Sequence, residues 1–486
     1  MNRLKVGLVG SSQLSFPGDK DGAFGRTSAE VAKLAKKWDF ELFVYPKQVI
    51  TADDAYIARS ALEAEKTDFV LLQCTSFSAG FLAPVFARTK DARLGLWAIP
   101  EGAADGAVPF NSLCSINMYS GIIGHYLDSY EFPLKWFYGN VDDTLFIDRF
   151  RITIRALKAI KYMQQSKVAL VGGIAPGFDD LYDDERKLIK LFDGMRINRL
   201  HEYDELKKLA ISMDEAKVKA RMAEETAQAK GFRHPTAEKM LEMNARFSLA
   251  YDKFIAENGY DAVAISCWPK FQEDYLYSVC AVVGEMNDKG TPTACEGDLT
   301  SAISMLLLKY LSEDITTLMD MSAFDKKDDT VLMWHCGPAS RRFCEKKGFE
   351  YGLNYSGTAH EPGEKEVSGT GVVRDMVFDP GDITIARLTG EIDTMFLATG
   401  SIIDTDKPSF CGSRGWVGKL EINRKPVSAI DFLNTVLVSR FQHHFPIVRG
   451  DFSKEVLEAM AWLKLKKVEI SPYQDYLENP VWWTNK

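Results

Sequence analysis

The sequence predicts an α/β protein: two Rossmann-like α/β domains followed by a β-rich, barrel-like C-terminal domain. Three observations carry that reading. Through the first third, short continuous apolar runs alternate with amphipathic helical stretches, the pattern of a parallel sheet covered on both faces. The alternation restarts near Val168. Beyond about residue 315, strand-like runs are instead joined by Gly- and Pro-rich turns. The boundaries fall at 1–150, 151–314 and 315–486, in line with the roughly three domains that 486 residues suggest.

Taken in order, Val6-Gly7-Leu8-Val9-Gly10 reads as a buried strand running into a serine pair. A helix from about Ala23 then sets Val31, Leu34 and Ala35 at helical spacing. Further strands follow at 41–45, 69–73 and 94–98. A helix over 147–163 leads to the second α/β domain, which opens on a strand at 168–173. Helices over 214–230 and 236–258 precede another strand at 262–266. In the last third, runs at 366–377, 383–388, 394–398 and 416–422 have the spacing of a barrel.

The composition, 46% hydrophobic and 26% charged, supports a large core that needs no disulfides. A net charge of −9 argues against nucleic acid or an anionic membrane as the main partner. The eight cysteines contain no C-x-x-C pair, so zinc-knuckle and thioredoxin readings fail, and buried thiols of a reducing compartment are expected. No apolar run approaches the roughly 20 residues that span a bilayer. Residues 1–5 enter a strand with no signal-like apolar region, so a cytoplasmic protein is expected.

Gly172-Gly173-Ile174-Ala175-Pro176-Gly177 follows a strand and looks like a phosphate loop, but the G-x-G-x-x-G spacing is missing. Pro176 also removes a backbone donor that a phosphate cradle would use. A plain turn is expected there, which weighs against a nicotinamide-dependent oxidoreductase. Thr293-Ala294-Cys295-Glu296-Gly297-Asp298-Leu299 precedes an apolar helix. Asp298 has the place of a helix-start acid, whereas Glu296 lies before the helix in a setting suited to a pocket wall. Asp320 stands among apolar neighbours, so it is either a strand-end or cap residue, or it is buried and then paired, hydrogen-bonded or metal-bound. In Phe441-Gln442-His443-His444-Phe445-Pro446, two of the seven histidines are adjacent, as metal ligands or as structural side chains. His335, in Trp334-His335-Cys336-Gly337-Pro338, reads either as a hydroxyl contact or as a core histidine.

These stations, in this order, resemble the metal-site segments of the L-fucose/L-arabinose isomerase family. The N-terminal third is similar too. Val9-Gly10-Ser11-Ser12-Gln13-Leu14 looks like the strand-loop that opens arabinose isomerases, and Thr75-Ser76-Phe77-Ser78-Ala79-Gly80 resembles their T-F-S-P segment. Residues 108–117 look like their later Leu-Pro-Trp-rich stretch. The fucose-type branch of that family uses a glutamate, an aspartate about two dozen residues later, and a C-terminal histidine. Glu296 and Asp320, 24 positions apart (320 − 296), match it. The arabinose-type branch has an earlier glutamate where this chain has residues 268–272, with Glu273 and Asp274 only nearby, and a histidine where this chain has Phe324.

The resemblance implies a metal-dependent aldose–ketose isomerase acting on a monosaccharide through an enediolate. It implies Glu296, Asp320 and His444 as ligands of Mn²⁺ or another divalent cation, with Glu296 and Asp320 doubling as the acid/base pair and Gln13 and His443 near the substrate. A homo-oligomer, by family a hexamer, is expected, with residues 11–14 able to serve a neighbour's site. The chemistry suits the residues: a hard cation with open positions steadies charge on adjacent sugar oxygens, and flanking carboxylates move the proton. Two alternatives stand beside this reading. One is an isomerase of a charged (sulfo- or phospho-) hexose such as sulfoquinovose, with Arg341 and Arg342 beside His335, and Arg414 in Cys411-Gly412-Ser413-Arg414, as either anion contacts or ordinary surface charges. The other is a non-catalytic sugar-binding protein.

Overall fold

A computed structural model describes residues 1–102, 104–127, 130, 132–275, 277–354 and 371–477. The chain divides into two compact units, Met1–Tyr162 and Met163–Lys486.

The first unit is built on a parallel sheet of β1 (Lys5–Ser11), β2 (Glu41–Val44), β3 (Phe69–Cys74), β4 (Arg93–Ala98) and β5 (Lys135–Tyr138). Its strand order is β2-β1-β3-β4-β5, that of a doubly wound sheet. Every residue of β3 is buried, as expected for a strand with both faces covered. The first two helices between strands start at side-chain caps: Asp19 caps Lys20–Trp38, and Thr51 and Asp54 form a reciprocal capping box on Ala52–Ala64.

The second unit opens on four parallel strands, β6 (Lys167–Val171), β7 (Arg196–His201), β8 (Ala262–Ile265) and β9 (Thr293–Ala294), in the order β7-β6-β8-β9. The strands that follow are β10 (Thr316–Asp325), β11 (Thr330–His335), β12 (Glu350–Leu353), β13 (Val372–Val377), β14 (Gly381–Leu388), β15 (Thr394–Ile402), β16 (Ser413–Ile422), β17 (Lys425–Pro426), β18 (His444–Arg449) and β19 (Lys466–Lys467). Six of these close into a ring, β16-β11-β10-β18-β14-β15, because β15 also pairs with β16. Closure leaves no free edge in the ring. Alternation along the strands fills one face with apolar side chains: Val331 and Met333, Ile383 and Ile385, and Phe445 and Ile447 belong to one buried cluster with Met319 and Phe396. His444, the first residue of β18, has the opposite parity to Phe445 and Ile447 and so faces away from that cluster. Of the expected run at 366–377, residues 366–370 lie outside the described residues, and the remainder contains β13.

A boundary at 314 was expected, yet residues 163–486 form one unit. The reason is the helix Leu299–Ser312, which is apolar on nearly every side and almost wholly buried. Such a helix has to be covered all round. It packs against β8 and β9 of the parallel sheet and also against β10, β14 and β18 of the ring. Likewise the helix Thr144–Gln165 runs through the boundary expected at 150. No described helix is long and apolar enough to cross a membrane.

Leu306→Ala, at a fully buried position of the shared helix, is expected to cost about 2–5 kcal/mol. Hydrogen exchange should then accelerate together in β6 and β14. Loss of protection in one sheet alone would show that the helix does not couple them.

Candidate active site

Glu296 follows β9 at a sharp turn in which both Glu296 (φ 60) and Gly297 (φ 73) take left-handed backbone angles. A Cβ on Gly297 would fall 2.0 Å from the Gly173 carbonyl oxygen, so only glycine fits. The Ala175 N–H donates to the Glu296 carbonyl at 2.9 Å, and the Gly297 N–H donates to that of Ile265 at 2.8 Å. The glycine-rich loop after β6 is thus a turn, as expected, and it braces the backbone that presents Glu296.

Asp298 is the N-cap of the shared helix, accepting from the Ser301 N–H at 2.9 Å. It does more than cap. Fully buried, it pairs at 2.7 Å with Arg387 of β14, itself fully buried. Arg387 also donates to Ser301 Oγ, to Thr300 Oγ1 at 3.1 Å, to Gln442 Oε1 at 3.2 Å and to the His444 carbonyl at 3.1 Å. Asp298 Oδ2 lies 2.9 Å from His444 Nδ1. A carboxylate only accepts there, so Nδ1 carries the hydrogen and Nε2 is the end of the ring turned to the site.

Asp320 and His444 are directly opposed across β10 and β18. His444 Nε2 is 3.7 Å from Asp320 Oδ1 and 3.3 Å from Glu296 Oε2. His443 Nε2 is 3.1 Å from the same Glu296 oxygen, and its Nδ1 is 2.8 Å from Asp180 Oδ2. At the end of β11 the His335 ring stacks on that of His444, centroids 5.5 Å apart. The Cys336 N–H donates to His335 Nδ1 at 2.8 Å, which leaves the hydrogen of a neutral ring on Nε2. His335 therefore presents a donor to the site, whereas His444 can present a lone pair only once Nε2 has lost its proton.

Three buried atoms here, Asp320 Oδ1, His335 Nε2 and His444 Nε2, have no hydrogen-bond partner among the described residues. Orphaned buried polar atoms are costly, and these converge. Donor atoms of Glu296, His335 and His444 lie within 4.8 Å of one another, as do those of Asp320, His443 and His444. A mixed carboxylate and imidazole set of this kind fits a divalent cation.

Charge is distributed to match. Burial opposes protonation of His444, but Asp298 and Glu296 outweigh it and push its pKa up to about 10. Burial opposes ionisation of Glu296, yet His443 and His444 hold it well below the usual carboxylate range. Asp298 is held low against burial by Arg387 and His444. His443 is raised, Glu296 and Asp180 outweighing burial, and burial lowers His335 so that it stays neutral.

Of the residues singled out in the sequence, Glu296, Asp320, His335, His443 and His444 come together. Gln13 belongs to the first unit, where its N–H donates to Ser76 Oγ at 2.9 Å. Arg341 pairs with Asp288, and Arg342 with Asp314 and Glu345. Arg414 meets Asp375. The side chains of Glu273 and Asp274 lie outside the described residues. The orienting role of Asp298, and the presence of Arg387 and Asp180, were not expected. Asp298 carries a local cap signal only, and its partners lie 89 and 146 residues away.

No family model matches the chain. Among characterised proteins it is 24% identical over 428 residues to a sulfoquinovose isomerase of Priestia megaterium, covering 87% of this chain and 90% of that protein. A sulfoquinovose isomerase of Alkalicoccus urumqiensis is 23% identical over the same length, with 87% and 91% covered. One from a Clostridium species is 24% identical over 376 residues, with 76% and 79% covered. Among solved structures, a solute-binding protein of Agrobacterium vitis bound with α-D-tagatopyranose is 12% identical with a TM-score of 0.17, covering 60% of this chain and 93% of that one, a likeness that carries no argument. The relatives are isomerases, though not fucose or arabinose isomerases by name. The chain is an enzyme, an aldose–ketose isomerase.

His444 is protonated near neutral pH in the metal-free protein. Its folded pKa is raised, so the stability it contributes is present below about pH 6.5 and is lost as pH rises through about 10. A cation on Nε2 must displace that proton. Calorimetric titration with Mn²⁺ in buffers of different ionisation enthalpy is expected to show about one proton released per ion, with affinity rising with pH across that window. Binding without proton release would contradict this arrangement.

Proposed function

We propose that this chain is a metal-dependent isomerase of sulfoquinovose, the sulfonated sugar in its relatives' names, interconverting it with the corresponding ketose. One observation carries the metal-dependent part: His444 Nε2 lies 3.3 Å from Glu296 Oε2 and 3.7 Å from the buried Asp320 Oδ1, which has no hydrogen-bond partner among the described residues, and these are the three residues the resemblance offers as ligands. Glu296, Asp320 and His444 would hold the ion. Once bound, a divalent cation supplies Lewis-acid polarisation of the two sugar oxygens nearest the reacting carbons.

The remaining chemistry belongs to the protein. The reaction takes a proton from the carbon beside a carbonyl and returns it to the neighbouring carbon, while a hydroxyl proton moves between the two oxygens. Glu296 and Asp320 are the proton carriers, one on each side of that carbon–carbon bond. His443, held between Asp180 and Glu296, keeps Glu296 ionised and fixed in direction. The Nε2–H of His335 is aimed at a substrate hydroxyl. Asp298 and Arg387 touch no substrate; they hold the His444 ring and its tautomer.

Treatment with EDTA should abolish ketose formation, and Mn²⁺ should restore it where NAD(P) does not. Glu296→Gln and Asp320→Asn should each cut turnover by roughly 10²-fold or more with the fold intact. Asp298→Asn removes the charge facing His444 and Arg387, so metal affinity should fall about 10–100-fold. Metal content, together with exchange of the substrate C2 proton, separates these outcomes. Wild-type turnover in Glu296→Gln with metal still bound would overturn the assignment.

A further inference from the structure

The ring's ladder places four residues in one row. Asp320 faces His444 across β10 and β18, Trp334 faces Asp320 across β11 and β10, and Arg414 faces Trp334 across β16 and β11. Directly paired residues point to the same side of a sheet, and neighbouring strands are about 4.8 Å apart. At the backbone, Arg414 therefore stands two strand spacings, roughly 10 Å, from Asp320 on the same face.

The end of that row is basic. Arg414 and Arg233 share the buried carboxylate of Asp375, one on each oxygen. Arg414 is further fixed by Ser409 Oγ at 2.9 Å and the Gly412 carbonyl at 2.6 Å. Arg233 also approaches Glu350 at 3.5 Å, a contact exposed on both sides and therefore weak. A cleft of about 240 Å³ here is lined by Lys230, Arg233, Lys347 and Arg414 together with Glu350 and Asp375, and Lys347 is paired outside it with Asp404 at 2.9 Å, four cations against three carboxylates. This local positive excess belongs to a chain whose net charge is −9.

Trp334 bridges the two ends. Its indole N–H donates to the Cys411 carbonyl at 2.7 Å, and its ring lies 6.4 Å from that of His335, nearly parallel. The adjoining Gly412 is pressed so close that a Cβ there would meet the His335 carbonyl at 2.5 Å. The segment that fixes Arg414 is thus packed directly on the strand end carrying His335.

We infer that Arg414, with Arg233 beside it, receives the terminal sulfonate of the sugar, and that Trp334 carries the apolar face of the sugar between this site and the reacting carbons. The inference rests on the proposed function and adds to it the residues that select a charged hexose. A sulfonate accepts from guanidinium N–H groups as a carboxylate does; Arg414 has Nε on Ser409 and Nη1 on Asp375 and the Gly412 carbonyl, so Nη2 is the group that would meet it, held in a plane that a lysine does not supply.

The test compares Arg414→Gln, Arg414→Lys and Arg233→Gln in the Mn²⁺-loaded full chain, with melting temperature and metal content as checks on folding. With sulfoquinovose as substrate, Arg414→Gln should raise KM by about 10²-fold, with a smaller change in kcat. Arg414→Lys should recover part of the loss. Ethanesulfonate should compete with the substrate in the wild type and lose that effect in Arg414→Gln. If Arg414→Gln does not fold, Arg233→Gln carries the same test from the exposed side of the cleft. An unchanged KM together with retained ethanesulfonate inhibition overturns the sulfonate site and leaves the isomerase reading standing. A wild type that converts a neutral aldose but not sulfoquinovose overturns the substrate reading, and the sulfonate site with it.

Discussion

The buried Asp298–Arg387 pair is the contact on which the site depends. Asp298 begins the helix shared by the two sheets, Arg387 belongs to the ring, and the same carboxylate sets the His444 ring. Burying two opposite charges is expensive, and it is tolerated only when the remaining donors and acceptors are satisfied. Here the guanidinium is satisfied by two hydroxyls, an amide oxygen and a backbone carbonyl as well as the carboxylate. The pair ties helix, ring and histidine into one rigid arrangement. Its electrostatic effect reaches the site as a fixed tautomer, with no group of its own in contact with substrate.

The ring supplies the rest of the geometry. Antiparallel pairing sets Asp320 against His444 without any loop having to find its place. Glu296 arrives from the parallel sheet at a turn that only Gly297 permits, braced by Gly173. Residues on strands and at a helix start are positioned more precisely than residues on free loops, and such precision suits proton transfer between adjacent carbons. The three histidines divide the work by hydrogen bonding. His444 faces an acceptor on Nδ1 and offers a lone pair once Nε2 is deprotonated, His335 faces a donor and offers its hydrogen, and His443 bridges two carboxylates.

Much of this was legible in the sequence. Apolar runs without alternation marked β1, β3, β4, β6 and β8, and the change of texture after about residue 315 marked the ring. The order of Glu296, Asp320 and the His443-His444 pair marked residues that the fold brings together. What could not be read was pairing over long sequence distance. Arg387 is an ordinary strand position until β14 places it against Asp298, and Asp180 lies in a short turn with no motif around it. The single second unit was hidden for a similar reason: the helix Leu299–Ser312 signals burial, but its sequence does not say that two sheets cover it.

The account stands or falls on one ion between Glu296, Asp320 and His444. Crystals of the full chain grown with Mn²⁺ and measured at a wavelength sensitive to manganese would locate it by anomalous scattering. The expected result is a single strong peak in contact with a Glu296 oxygen, an Asp320 oxygen and His444 Nε2, with His444 Nδ1 still on Asp298. A peak elsewhere in the chain, or none in protein that is catalytically active, would contradict it.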